Sequence, residues 1–122
     1  ENVEPVPIEN KLLESPLIDQ CLVVGQDQKF LGALIVPAKE SFGGKPLDAL
    51  ATSDEVRKAI QSEIRRLVSL ENGFKGFERV VDFRLLPKAF EPGDELTAKL
   101  SVKRHVVAEK YASVIATMYG TN

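Results

Sequence analysis

Residues 17–37 read "LIDQCLVVGQDQKFLGALIVP". Two apolar, β-branched runs, Leu17–Val24 and Phe30–Val36, flank the polar segment Gly25-Gln26-Asp27-Gln28-Lys29. Strand-length runs on either side of a short, glycine-led polar segment predict a β-hairpin. Both runs are apolar at nearly every position, so they are expected to be covered on both faces or to lie centrally in a sheet. Gly32 marks a bulge or a close backbone approach.

Upstream, "EPVPIENKLLESP" sets two prolines where the first turn of a helix tolerates them, with Ile8, Leu12 and Leu13 on one face. Ser15-Pro16 stops that helix, expected over about Pro5 to Glu14. Downstream, "KESFGGKPLDALATS" is irregular, broken by Gly43-Gly44 and Pro46. The next segment, "TSDEVRKAIQSEIRRLVSLENG", is the clearest helix. Thr52 and Glu55 have capping-box spacing, and Asn72-Gly73 supplies a stop. Val56, Ile60, Ile64, Leu67 and Val68 form an apolar stripe, and Arg57, Lys58, Arg65 and Arg66 interleave with glutamates on a solvated face.

A third strand is expected at about Val80–Leu86, with Val81, Phe83 and Leu85 on one side. The last helix is expected to begin near Ser101 as N-cap and to bury Val107, Tyr111, Val114, Ile115 and Met118. The order helix, hairpin, helix, strand, helix predicts an α+β fold: a small, mostly antiparallel sheet packed with about three helices.

The chain has 122 residues, which fit a single domain over 1–122, with 43% apolar and 28% charged side chains. A net charge of −2 argues against a nucleic-acid binder. One cysteine, Cys21, cannot form an internal disulfide and reads as a buried thiol in a reducing, cytoplasmic setting. No apolar run approaches the ~18 residues of a membrane span, and the acidic start "ENVEPVPIEN" has no signal-peptide pattern. That start, without methionine, reads as the beginning of a fragment.

One histidine and one cysteine exclude a Cys/His metal centre, so no metal site is expected. Gly43-Gly44-Lys45 is followed by proline and preceded by no strand, unlike a phosphate loop. His105 reads as a surface side chain, and Asp94-Glu95 as a solvated turn. The remaining feature is "DELTAKLSVKRHVVAEKY", residues 94–111, which gathers Lys99, Lys103, Arg104 and His105 at the start of the last helix. A helix start already carries partial positive charge, so cations there point to an anion or a partner that bears one. Lysine, a compact charge on a flexible stem, suits an oxyanion or phosphate.

Over essentially all its length, the chain resembles the small C-terminal domain of adenylate-forming acyl-CoA synthetases, in the long-chain fatty-acid–CoA ligase branch. "ENVEPVPIEN" resembles the run after their hinge, "VVGQDQKFLGALIVP" their hairpin, and "DELTAKLSVKRHVVAEKY" their C-terminal signature. The resemblance implies a two-step reaction. A fatty acid and ATP give acyl-AMP and pyrophosphate; coenzyme A then displaces AMP. It also implies that an N-terminal adenylation domain holds the acyl and nucleotide sites, with Mg2+ accompanying ATP there.

The C-terminal domain acts as a lid, which inserts a lysine during adenylation and then rotates to face the pantetheine channel. On the Thr-x-Lys pattern that lysine is Lys99. A common long-chain pattern has it at the register of Ser101, and Lys103 is the alternative. Asn2, Val3 and Glu4 are the implied pantetheine-channel face and Arg104 an implied anion contact. The isolated chain is expected to be inactive, and the intact enzyme to be cytoplasmic or associated with a membrane surface. The rival reading from the residues alone is a free-standing α+β module that binds an anionic small molecule.

Overall fold

The computed structural model describes residues 2–120. Helix α1 (Pro5–Leu12) leads into strands β1 (Ile18–Val24) and β2 (Leu31–Pro37), then α2 (Leu47–Ala51) and α3 (Asp54–Leu67). Strand β3 (Val80–Leu85) and helices α4 (Arg104–Lys110) and α5 (Ala112–Met118) complete the order. The three strands form one sheet in the order β1-β2-β3.

The hairpin is antiparallel, pairing Cys21 with Ile35 and Val23 with Ala33. Central β2 is buried at all seven positions because helices cover both of its faces. Leu31, Ala33 and Ile35 join Ile8 and Leu12 of α1 and Val56, Ile60 and Ile64 of α3 in one core cluster. Leu34 and Val36 pack instead with Val107 and Met118 of α4 and α5. A strand with an apolar layer on each side gains no stability from polar alternation, which explains the unbroken apolar run. Gly32 lies beside a sheet irregularity: the β2–β3 register shifts between Leu31 and Gly32, with the extra residue on β3. A Cβ at Gly32 would meet the Met118 sulfur at 2.9 Å.

The α+β class holds, and the sheet is mixed: β3 pairs with β2 in parallel. The chain leaves β2, crosses through α2 and α3 and returns in the same direction, as parallel strands require. The register shift falls at Val81, which is left 58% exposed while Val80, Phe83 and Leu85 face the first cluster. Leu13 is likewise exposed, because α1 ends at Leu12 and its last turn directs Leu13 away from the sheet.

The cap of α3 lies one residue later than the spacing indicated. Ser53, not Thr52, accepts the Val56 N–H, and Thr52 donates its hydroxyl to backbone carbonyls of α2. Helix α3 ends at Leu67, before a short 3-10 turn that reaches left-handed Gly73. The last helix is two: the backbone turns at Tyr111, between α4 and α5. Its predicted apolar residues nevertheless all face the second cluster. Arg57 departs from the solvated face. Its guanidinium lies 4.2 Å above the Phe83 ring and pairs with Asp82 on β3.

Candidate functional site

The segment between β3 and α4 carries the predicted lysine. Its base is fixed by Glu95, a carboxylate with no exposed surface. Glu95 Oε1 accepts the Glu91 N–H at 2.9 Å, and Oε2 accepts from Lys110 Nζ at 2.9 Å. The same ammonium donates to Asp94 at 2.7 Å, and the Glu95 carbonyl accepts the Lys103 N–H at 2.8 Å. Burial alone would hold the Glu95 proton on; the Lys110 and backbone hydrogen bonds outweigh it and bring the carboxyl below the usual range. Lys110 is correspondingly raised by the hydrogen bonds it donates to Asp94 and Glu95. Leu96 enters the second core cluster beside them.

Above that base the chain makes a tight turn. The Leu100 N–H donates to the Thr97 carbonyl at 2.9 Å, and the Thr97 N–H to the Ser101 carbonyl at 2.8 Å. Thr97 Oγ1 accepts the Ser101 N–H at 3.1 Å. Lys99 stands exposed within this turn. Leu100 closes it at φ +66°, the only non-glycine residue with positive φ among those described. That position usually belongs to glycine, and a leucine there costs roughly 1–2 kcal/mol.

The expected site residues thus have distinct positions. Lys99 is at the tip. Lys103 is half-buried at the N-cap of α4, its backbone held by Glu95, and Ser101 precedes the helix rather than capping it. Among the described residues, the ion pairs in this region use Arg104 and Lys110 rather than Lys99 or Lys103. Arg104 pairs with Glu9 of α1, whose other carboxylate oxygen accepts the Val23 N–H at 2.7 Å. Arg104 therefore spans from the start of α4 to α1 and the outer edge of β1.

Asn2 and Glu4 are exposed, and Val3 packs against the first cluster. No hydrogen bond or ion pair among the described residues joins them to Lys99; the link runs through α1 and the Glu9–Arg104 pair. His105 is exposed, as expected, and Cys21 is buried. Gly43 and Gly44 form an ordinary turn after a 3-10 helix.

Three residues that shape this region escaped the sequence. Asp94-Glu95 read as a solvated turn, whereas Glu95 is the buried post of the lysine-bearing segment; its partner lies 15 residues on, beyond local pattern. Glu9 carries no local signal of its pairing. Leu100 carries none either, since its positive φ belongs to the folded turn. Among the described residues no cluster of His, Cys, Asp and Glu has the arrangement of a metal site. No described helix is long and apolar enough to cross a membrane.

The domain is thus two helical layers around a short mixed sheet, with Lys99 raised on a pinned turn. Residues 1–122 match the family described as AMP-binding enzyme C-terminal domain, and the chain belongs to that family. It is 36% identical to a long-chain-fatty-acid–CoA ligase of Mycobacterium tuberculosis, over 97% of this chain and 21% of that protein. It is 31% identical to a chloroplastic long-chain-fatty-acid–[acyl-carrier-protein] ligase of Arabidopsis thaliana, over 98% of this chain and 16% of that one. The chain thus spans about a fifth of the curated relatives it matches. The A-PCP didomain of carboxylic acid reductase from Segniliparus rugosus, solved with AMP, shares the fold. Its TM-score is 0.80 at 22% identity, over 97% of this chain and 16% of that one.

Proposed function

We propose that this chain is the lid domain of a long-chain fatty-acid–CoA ligase that works in the cytoplasm. In that enzyme a fatty-acid carboxylate oxygen attacks the α-phosphorus of ATP, and pyrophosphate leaves. The coenzyme A thiol then attacks the acyl carbonyl of the adenylate, and AMP leaves. The adenylation half holds ATP with Mg2+ and the acyl chain. This domain brings Lys99 to the oxygens shared between carboxylate and α-phosphate, where a positioned cation offsets repulsion between two anions. It then turns so that Asn2, Val3 and Glu4 face the path of the thiol.

The observation that carries this reading is the Lys99 turn: an exposed ammonium in no ion pair among the described residues, on a loop whose base is fixed by a fully buried carboxylate. Such a loop holds its backbone while leaving its charge free for a ligand. Exposed Asn2, Glu4, Val6, Lys99 and Leu100 also leave a mixed polar and apolar surface, as domains that move against each other require.

The test measures both half-reactions in the full-length enzyme carrying this chain. Lys99→Ala is expected to slow acyl-AMP formation by ~10²–10³-fold and leave thioester formation from supplied acyl-AMP near the parental rate. Lys103→Ala should cost less, because its backbone, not its side chain, holds the loop. If Lys103→Ala abolishes adenylation while Lys99→Ala does not, Lys103 is the lysine; if both are silent, the reading fails.

A further inference from the structure

Leu100 occupies an unfavourable backbone state and gains no burial for it. Its φ of +66° is one a glycine would adopt freely, and its side chain is 64% exposed, outside both core clusters. The turn is already closed by hydrogen bonds from the Leu100, Thr97 and Ser101 amides, none of which needs a leucine side chain. Within this chain, then, glycine or asparagine would serve the fold better.

We infer that Leu100 is a positioning residue for Lys99: its side chain seats in an apolar socket of the adenylation half and holds the ammonium in a water-poor site. This rests on the lid reading above. Lysine and leucine are adjacent at one exposed tip, so insertion of either carries the other with it. Seating the leucine fixes the tip's depth, and excluding water strengthens attraction between the ammonium and the anionic oxygens. A misplacement of about 1 Å at such a site can cost ~10²-fold.

The experiment compares Leu100→Gly, Leu100→Asn, Leu100→Met and Lys99→Ala in the full-length enzyme. Gly and Asn relieve the left-handed strain but remove the apolar knob; Met keeps an apolar chain of similar volume. Gly and Asn variants are expected to unfold at or above the parental denaturant midpoint, yet to show adenylation kcat lowered by about 10–100-fold with KM for ATP little changed. Met should restore most of the rate, and all three should make thioester from supplied acyl-AMP normally. Parental adenylation by Gly and Asn overturns the inference. So does a Met variant as slow as Asn, or a fall in stability for Gly and Asn, which would give the leucine a role in the fold. Lys99→Ala separates the two levels. If it is slow while the Leu100 variants are not, only this inference fails; if it is silent, the lysine reading fails and takes the role of Leu100 with it.

Discussion

Lys110 Nζ lies 2.9 Å from Oε2 of Glu95, joining the first turn after Phe90 to the last residue of α4 across 15 residues. The carboxylate is wholly buried and the ammonium partly exposed, so Glu95 depends on the pairing more than Lys110 does. Glu95→Gln keeps the shape but leaves a weaker acceptor for two donors. It is expected to lower stability by about 1–3 kcal/mol, read as a shift in urea midpoint at constant m-value. In the full-length enzyme it should also slow adenylation, since the segment that presents Lys99 is hung from this residue. A midpoint equal to the parent's would show that Glu95 is not the post described above.

The pH dependence of stability has two edges. Glu95 has a carboxyl below its unfolded value of about 4.3, so its contribution is present above that pH and is lost as pH falls through the lowered value. Cys21 defines the alkaline side. Burial first, then the Glu9 carboxylate, push its thiol up to about 12. The folded state therefore keeps a proton that the unfolded chain releases near pH 8.5, and stability declines from there upward. Lys110, raised by Asp94 and Glu95, adds a loss beginning near pH 10.4. Cys21→Ala should flatten the decline between about pH 8.5 and 10 in chemical denaturation; an unchanged slope would remove the thiol from this account.

Glu9 and Arg104 form the second long-range pair, and Glu9 also satisfies the Val23 N–H on the outer edge of β1. Glu9→Gln should cost about 1–3 kcal/mol, because a buried acceptor loses its charge while keeping its neighbours. Arg104→Lys should not restore the pair fully, since a point charge cannot reproduce the guanidinium geometry. A double-mutant cycle measures the coupling; purely additive effects would contradict direct pairing.

Gly25 starts the hairpin turn at φ +89°, and a Cβ there would fall 1.9 Å from the Tyr119 hydroxyl and 2.8 Å from the Phe30 carbonyl. Tyr119 stacks on Phe30 with centroids 4.8 Å apart and donates to that carbonyl, so it cannot swing aside without loss. Gly25→Ala is expected to destabilise by more than the ~1–2 kcal/mol of left-handed strain alone. Gly32→Ala should cost less, because the nearest atom it meets is the flexible Met118 sulfur. Thermal unfolding of the two variants gives the order directly.

Much of this architecture was legible in local pattern. The hairpin, the buried β2 and the apolar faces of α3, α4 and α5 follow from runs and periods of side chains whose burial depends on near neighbours in sequence. The exposed Lys99 was legible too, because it falls ahead of Ser101, the expected start of the last helix, where no core packing fixes it. Leu13 and Val81 were misplaced for a common reason. One residue at a helix end or a sheet irregularity decides which way a side chain points, and periodicity assumes that no such break occurs.

By itself the sequence determined the α+β class, the twofold covering of the hairpin and the loop position of the lysine. All three rest on hydrophobic burial and turn chemistry, which act over a few residues. Tertiary structure alone decided the parallel entry of β3, the burial of Glu95 against Lys110, the claim of Glu9 on Arg104 and the left-handed closure at Leu100. Strand direction depends on the path of a whole crossover, and a charge is buried only where a distant partner meets it. Those are properties of the folded chain's geometry, set by residues 15 to 95 positions apart.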